Sequence, residues 1–280
     1  MGVKSDRQAS AEPIAMDDEG LGTDTEFEVL RIEDGKATKA RQSVATEVPC
    51  TLVVNGREAV TLMVTPSRLE DLAVGHLFGA GVIGSAAELR AVSCDERRWR
   101  LDVETAREVD LELLGRRIYT SGCGKGVMYS NVVELSGRHP LADGPQIRAE
   151  ALVAGMKWLL SASGLFRSTR GVHSAALGVA GALPELLIED IGRHNAVDKI
   201  IGHGLRGGAD FSRCALFTTG RTTSEILHKA KRAGIPIAVS RGAPTHQTVL
   251  LAREMGATVA SFRAGGLTVY SRSERVLFDA

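Results

Sequence analysis

The chain has 280 residues, enough for one large domain or two modest ones with a substantial core. Its 34 basic residues balance its 34 acidic ones, so no long-range field favours nucleic acid or a membrane surface, and any anionic ligand must be held by a local site. The four cysteines are widely separated, with neither metal-ligand spacing nor the density of a disulfide framework. The polar, acidic N-terminal stretch has no apolar run that could serve as a signal peptide, and no run in the chain reaches the length of a membrane span. Together these features predict a cytoplasmic protein.

The N-terminal part of the chain mixes strand and helix patterns. Residues 1–24 lack periodicity and are predicted to form a flexible tail. Two β-rich runs flank an Asn-Gly pair in "TLVVNGREAVTLMVT", which predicts a hairpin, and "SRLEDLAVGHLFGAGVI" predicts a helix with a capping box from Ser67 to Glu70. The segments "LRAVSCD", "RWRLDVE" and "REVDLELL" are typical of further strands. Residues 25–115 are therefore predicted to form a small mixed α+β domain.

The loop over residues 116–130, "RRIYTSGCGKGVMYS", contains a lone thiol. Cys123 is flanked by glycines on both sides, whereas a buried structural cysteine prefers an apolar element. The glycines permit close approach of another molecule, and Lys125 favours the thiolate. The loop is predicted to be mobile and to carry a reactive cysteine.

The pattern after residue 131 is longer and more regular. An amphipathic helix, "IRAEALVAGMKWLLSAS", precedes strands and helices in alternation, among them "HSAALGVA", "ELLIED", "AVDKIIGHGL", "CALFTT", "SEILHKAKRAG", "IPIAVS", "PTHQTVLLAREMG" and "ATVASF". This alternation predicts a layered α/β domain over residues 131–280 with a mostly parallel sheet.

Three predicted strands of this domain end in polar, glycine-bearing loops. The loops are "EDIGRHNAVDK", "TTGRTTSE" and "SRGAPT", and they contain Arg193, Arg221 and Arg241. The carboxyl ends of strands form the binding crevice of α/β sheets, where helix N-termini and arginine side chains bind anions. Helix capping by Thr222 and Ser224, and solvated surface charge for each arginine, are the alternatives. Three loops of the same character favour a binding site.

Two histidines belong to this region. His194 lies in a polar loop and is either a ligand contact or proton carrier, or an N-cap contact of the following helix. His173 begins a strand-like run and is expected to be a hydrogen-bonded structural residue. Zinc deaminases combine H-x-E with a later P-C-x-x-C, whereas here the third position is Ala175 and no cysteine pair follows. Zinc hydrolysis is therefore disfavoured, and no metal site is predicted.

A fourth segment, "FRAGGLTVYS", places an aromatic residue, an arginine and two adjacent glycines between two strands. Taken alone, this pattern predicts a hairpin turn.

The segments "EDIGRHNAVDKIIG", "TTGRTTSEILHKAKRAGIPIAVSRGAPT", "STRGVHSAAL" and "SGCGKG" together resemble the formate dehydrogenase accessory protein family, FdhD. The similarity covers about residues 27–275. It implies a sulfurtransferase that accepts persulfide sulfur from a cysteine desulfurase and passes it to the molybdenum (or tungsten) bis-guanine-dinucleotide pterin cofactor of formate dehydrogenase. It also implies a homodimer with no permanently bound cofactor, whose larger domain is cytidine-deaminase-like but lacks the zinc chemistry.

The resemblance also implies roles for individual residues. Cys123 matches the persulfide carrier, while the second cysteine of the family's C-x-x-C loop is Gly126 here; this leaves single-cysteine transfer intact. Lys125, the nearest cation in the sequence, is the candidate for supporting the thiolate. The segment that matches the cofactor-binding segment of the family comprises Phe262, Arg263, Ala264, Gly265, Gly266 and Leu267. The polar strand-end loops add the further candidates Arg193, His194, Arg221 and Arg241 on physical grounds. The alternative function is a non-catalytic chaperone that binds and delivers the nucleotide cofactor.

Overall fold

A computed structural model of the chain describes residues 21–111 and 140–279. The strands are β1 (Asp24–Glu33), β2 (Lys36–Ala45), β3 (Val48–Val54), β4 (Arg57–Val64), β5 (Leu89–Asp95), β6 (Arg100–Thr105), β7 (Ile147–Arg148), β8 (His173–Val179), β9 (Leu187–Asp190), β10 (Cys214–Arg221), β11 (Ile237–Gly242), β12 (Thr258–Arg263), β13 (Gly266–Ser271) and β14 (Val276–Leu277). The α-helices are α1 (Leu69–Ala80), α2 (Ala149–Ala162), α3 (Gly164–Thr169), α4 (Arg193–Arg206), α5 (Ser224–Ala233) and α6 (His246–Met255). The predicted loop with Cys123 and Lys125 lies outside the described residues.

The first sheet has the strand order β4-β3-β6-β5, with β3 and β6 parallel. The predicted hairpin between β3 and β4 is confirmed, and both residues of its turn, Asn55 and Gly56, have positive φ angles of 50° and 77°. The strand predicted in "REVDLELL" is wrong over residues 107–111, which form no strand. The Thr105 hydroxyl donates to the Arg107 carbonyl at 2.6 Å and turns the chain at the end of β6.

The helix predicted after β4 is confirmed as α1, but its capping box is wrong. The N-cap is Arg68, with φ 51°, and no side chain caps the helix. Glu70 does not reach back to the helix start, because its carboxylate accepts from Arg206 of α4 at 2.7 Å. A tertiary contact therefore replaces the local one.

The second sheet has the order β13-β12-β11-β10-β8-β9. Strands β10, β11 and β12 are parallel, whereas β8, β9 and β13 each pair antiparallel with their neighbours. The mixed α/β fold is as predicted. The prediction of a mostly parallel sheet is wrong at both edges, where the strands are antiparallel. The β8–β9 and β12–β13 connections are too short for the crossover that parallel strands need.

The two sheets are joined through helices α1 and α4, which approach each other at two glycines. A Cβ atom at Gly75 would lie 1.8 Å from the Asp198 carbonyl oxygen, and one at Gly202 would lie 1.9 Å from that of Asp71. One hydrophobic core runs across this contact and includes Leu72 of α1 and Leu216 of β10. The predicted division into residues 25–115 and 131–280 stays a prediction.

A two-stranded ribbon, β1–β2, precedes the first sheet. Ten residue pairs join the strands, from Asp24 opposite Ala45 to Glu33 opposite Lys36. The turn uses Asp34 and Gly35, both with positive φ. Within the described part of the chain, no helix is long and apolar enough to cross a membrane.

Candidate functional site

The polar loops predicted from the sequence meet at one edge of the six-stranded sheet. Strands β9, β10, β11 and β12 end there, and β8, which runs in the opposite direction, begins there at His173. His173 lies opposite Asp190, and Thr218 lies opposite Ser240. Helices α4, α5 and α6 begin after the ends of β9, β10 and β11, so three helix N-termini follow this edge. We refer to it as the carboxyl edge.

The segment "FRAGGL" forms the β12–β13 turn and lines two grooves. Ala264 and Gly265 occupy the turn with φ angles of 49° and 81°, which confirms the hairpin. One groove, of about 610 Å³, is lined by Leu160, Phe166, Arg241, Phe262, Arg263 and Ala264. The other, of about 700 Å³, includes Gly265, Gly266 and Leu267 together with residues of α2 and the C-terminal segment. The structure thus brings Arg241 to the same groove as Phe262 and Arg263.

Arg193 and Arg221 lie over glycines of neighbouring strands. A Cβ atom at Gly220 would come within 2.8 Å of the Arg193 Cβ, and one at Gly242 within 2.8 Å of the Arg221 Cγ. These glycines therefore make room for the two arginines at the carboxyl edge. Neither arginine belongs to the lining of the two grooves described above.

Much of the motif "EDIGRHNAVDK" holds the fold together. The Asp190 carboxylate accepts from the Gly192 amide at 2.7 Å, the Asn195 amide at 2.9 Å and the Lys199 ammonium at 2.6 Å. Lys199 is fully buried and also donates to the carbonyl of Thr65, at the end of β4, at 2.9 Å. Burial lowers the pKa of Lys199, although Asp190 opposes this shift. The motif therefore ties the start of α4 to the first sheet.

A buried chain of charged groups leads inward from His194. His194 Nε2 lies 3.2 Å from Glu225 Oε2, and the Lys229 Nζ lies 3.9 Å from the other Glu225 oxygen. Lys229 donates to Asp198 at 2.6 Å, and Asp198 lies 3.1 Å from the Nδ1 of His76 in α1. Burial raises the pKa of Glu225; burial alone would also raise that of Asp198, but Lys229 and His76 lower it overall. Sequence reasoning missed Glu225 and Lys229, although their spacing on one helix face was a signal for an ion pair.

The predicted capping alternatives are wrong. The N-cap of α4 is Gly192, so His194 is a helical residue that faces Glu225. The N-cap of α5 is Thr223, whose side chain makes no capping hydrogen bond, rather than Thr222 or Ser224. The Thr222 hydroxyl is instead buried, and it has no hydrogen-bond partner among residues 21–111 and 140–279.

His173 lies beside Thr219, whose hydroxyl is 3.4 Å from its Nδ1. Burial lowers the pKa of His173, and Arg193 adds to that shift. Among the residues that the structure describes, no group of three or more His, Cys, Asp or Glu side chains is placed to hold a metal ion. The prediction that the protein needs no metal stays a prediction.

Protonation of His194 is expected to make folding sensitive to acid. Burial, followed by Lys229 and Arg193, lowers the pKa of His194 from 6.5 to about 3. Between these values the unfolded chain binds a proton that the folded chain does not, so stability is lost as the pH falls below 6.5. At pH 5 this one histidine therefore lowers the free energy of unfolding by about 2 kcal/mol relative to neutral pH.

When the pH is lowered from 7 to 5, the free energy of unfolding should fall by about 2 kcal/mol less for His194→Gln than for the wild type. Urea unfolding of both chains at the two pH values measures this difference. Equal pH dependence of the two chains would contradict the assignment of His194 as a buried neutral group.

The three described cysteines are free thiols. Burial, together with the neighbouring Cys94, raises the pKa of Cys50 to about 12. Burial and the nearby Glu96 raise the pKa of Cys94 to about 11, and burial also raises that of Cys214. None of these three side chains is set up to ionise near neutral pH.

Comparison with known proteins agrees with the resemblance carried by the sequence motifs. The model of the family described as FdhD/NarQ matches residues 45–277. The chain is 35% identical over 252 residues to the sulfur carrier protein FdhD of Bacillus subtilis, covering 89% of this chain and 96% of that relative. It is 32% identical over 263 residues to the sulfur carrier protein FdhD of Bacillus licheniformis, covering 93% and 100%.

A solved structure gives the same result. A crystal structure from Desulfotalea psychrophila, assigned as a formate dehydrogenase accessory protein, is similar with a TM-score of 0.76 and 31% identity. The match covers 91% of this chain and 100% of that one. The chain therefore belongs to the FdhD/NarQ family.

Proposed function

We propose that the chain is a sulfur carrier for the maturation of formate dehydrogenase, with Cys123 as the carrier. The Cys123 thiolate attacks the outer sulfur of a cysteine persulfide on a desulfurase. A new sulfur–sulfur bond forms on Cys123, the bond to the donor cysteine breaks, and the donor leaves as its thiolate. The sulfur carrier names of the relatives support this role.

The observation that carries the assignment to Cys123 is the state of the other cysteines. Only a thiolate is an effective nucleophile in thiol–disulfide chemistry. Burial raises the pKa values of Cys50 and Cys214, and partial burial together with the nearby Glu96 raises that of Cys94. Cys123 differs in sequence context, since it stands between glycines and two residues before Lys125.

We infer that the acceptor is the molybdenum or tungsten bis-guanine-dinucleotide pterin cofactor, bound as a substrate at the carboxyl edge. The groove with Arg241, Phe262 and Arg263 offers two guanidinium groups for phosphate oxygens and an aromatic ring for a base. This combination suits a nucleotide diphosphate better than an uncharged ligand. Arg193, His194 and Arg221 lie farther along the edge as candidates for the rest of the cofactor.

Arg263→Ala is expected to weaken the binding of GDP, which keeps the guanine and the diphosphate of the cofactor. Loss of one charge-assisted contact costs about 1.5–3 kcal/mol, so the dissociation constant should rise by roughly tenfold to a hundredfold. Calorimetry with GDP and ADP on both chains measures the effect. Equal affinity of the two nucleotides for both chains is the result expected of a plain hairpin turn, and it would overturn the nucleotide assignment.

Three finer features belong to the same proposal. The part of the chain with the six-stranded sheet has a cytidine-deaminase-like architecture without the zinc chemistry, as Ala175 in place of the H-x-E glutamate suggests. The protein is a sulfurtransferase that works in the cytoplasm, where a reducing environment keeps Cys123 as a thiol. It acts as a homodimer and delivers sulfur before the cofactor enters formate dehydrogenase.

Complementation tests the proposed function. A bacterial strain that lacks its own FdhD should regain formate dehydrogenase activity when it expresses this chain, and an empty vector is the control. The strain's own FdhD, supplied on the same vector, is the positive control. If that protein restores activity and this chain, folded and expressed, does not, the proposed role is contradicted.

A further inference from the structure

The β1–β2 ribbon exposes large apolar side chains. Leu30 and Ile32, on one face, are 63% and 67% exposed, and Phe27, on the opposite face, is 53% exposed. A two-stranded ribbon alone is at best marginally stable in water, and a third strand or a packed surface normally supports it. The ribbon touches the rest of the described chain near its base, where Gln42 donates to the Ser168 carbonyl at 2.9 Å. Its outer part therefore requires a covering surface.

Charge is divided between the two strands on one face of the ribbon. Because side chains alternate along a strand, Glu26, Glu28, Leu30 and Ile32 of β1 share a face. Their cross-strand partners on β2 are Ser43, Arg41, Lys39 and Ala37. This face, which we call the ribbon face, is therefore acidic along β1, basic along β2 and apolar toward the tip.

Such a face is complementary to itself. When two ribbons stack face to face about a two-fold axis parallel to their strands, β1 of one copy lies over β2 of the other. Glu28 of each copy then lies near Arg41 of its partner, and the apolar tips of the two ribbons cover each other. An axis perpendicular to the strands would instead place β1 over β1 and bring like charges together, which is unfavourable.

We propose that the β1–β2 ribbon is a dimerisation arm that packs through the ribbon face against the same ribbon of a second copy of the chain. The inference rests on the homodimer proposed above and names its surface. It is independent of the sulfur chemistry of Cys123. Burial of Leu30 and Ile32 drives the association, and the pairing of Glu28 with Arg41 sets its orientation.

Sedimentation velocity of the full chain tests the surface. The wild type should be a dimer, and Ile32→Lys should raise the dimer dissociation constant by about tenfold to a hundredfold. Leu183→Lys is the matched control, because Leu183 is also exposed, at 51%, but lies outside the ribbon, and it should not change the constant. Thermal unfolding of each variant establishes that it folds.

Charge exchange tests the orientation. Glu28→Arg and Arg41→Glu should each weaken the homodimer, because each places like charges across the two-fold axis. An equimolar mixture of the two variants should form a heterodimer, since every cross-copy pair is then opposite in charge. A misfolded ribbon would not be rescued by mixing.

A wild type that is monomeric up to its highest soluble concentration would overturn the proposal, and it would mean that another segment or another protein covers the ribbon. A dimer that Ile32→Lys leaves as tight as the wild type would also overturn it. Persulfide formation on Cys123 of the Ile32→Lys chain, followed by mass spectrometry, separates the two proposals. Loss of the dimer with retention of the persulfide would support the arm and leave the sulfur carrier role intact.

Discussion

Gly75→Ala is expected to destabilise the protein by about 3 kcal/mol or more. The new Cβ atom would lie 1.8 Å from the carbonyl oxygen of Asp198 and 2.6 Å from its carbonyl carbon. These are backbone atoms of α4, so the clash can be relieved only by moving one helix away from the other. That movement would also disturb the core that joins the two sheets and the Asp198–Lys229–His76 cluster.

Thermal unfolding measures the effect, and the midpoint should fall by roughly 6–12 °C for a chain of this size. Gly79→Ala on the same helix is the matched control. Its Cβ atom would lie 3.3 Å from the Cγ of Lys229 and 3.4 Å from Asp198 Oδ1, so these side chains need to shift by only a few tenths of an ångström. The stability of this variant should therefore change by no more than about 1 kcal/mol. Equal stability of the Gly75→Ala and wild-type chains would show that α1 and α4 do not approach as described.

Cys123→Ala is expected to abolish the activation of formate dehydrogenase in the complementation strain. The substitution removes the sulfur atom on which the proposed persulfide forms, and the remaining cysteines have pKa values raised by burial. Formate dehydrogenase activity should fall to that of the empty vector. Immunoblotting of the chain in the same cells establishes that the variant accumulates.

Cys94→Ala is the control for this experiment, because Cys94 is the one described cysteine that is not fully buried. It should support activity like the wild type. The chaperone alternative predicts the opposite for Cys123, since a protein that only binds and delivers the cofactor does not need the thiol. Full activity of Cys123→Ala would therefore favour the chaperone.

Periodicity predicted the elements of the second sheet well because each is short, apolar and bounded by polar turns. "CALFTT" is the start of β10, and "SEILHKAKRAG" is α5 followed by its C-terminal glycine. The direction of the strands was harder to predict. The loop between β8 and β9 resembles the loops elsewhere in this part of the chain, so its sequence alone does not show that the two strands are antiparallel. Likewise, Asp34-Gly35 is a hairpin signal of the type found at Asn55-Gly56, but the strands around it alternate too weakly to predict the ribbon.

The candidate site shows a different limit of sequence reasoning. Polar residues in "EDIGRHNAVDK" indicate function and structure equally well, and only tertiary contacts separate the two. Asp190 and Lys199 are completely buried against Thr65, which is more than 120 residues away in sequence. Arg241 and Arg263, in contrast, share a groove because β11 and β12 are parallel neighbours. The pairing of two strands, rather than either motif alone, creates the nucleotide-binding groove we propose.

Intact mass spectrometry tests the central claim most directly. The chain is incubated with a cysteine desulfurase and cysteine, and its mass is compared before and after treatment with a reductant. We expect one added sulfur atom that the reductant removes, mapped by peptide analysis to Cys123 and missing from Cys123→Ala. An added sulfur on Cys50, Cys94 or Cys214, or equal sulfur on the wild-type and Cys123→Ala chains, would contradict it.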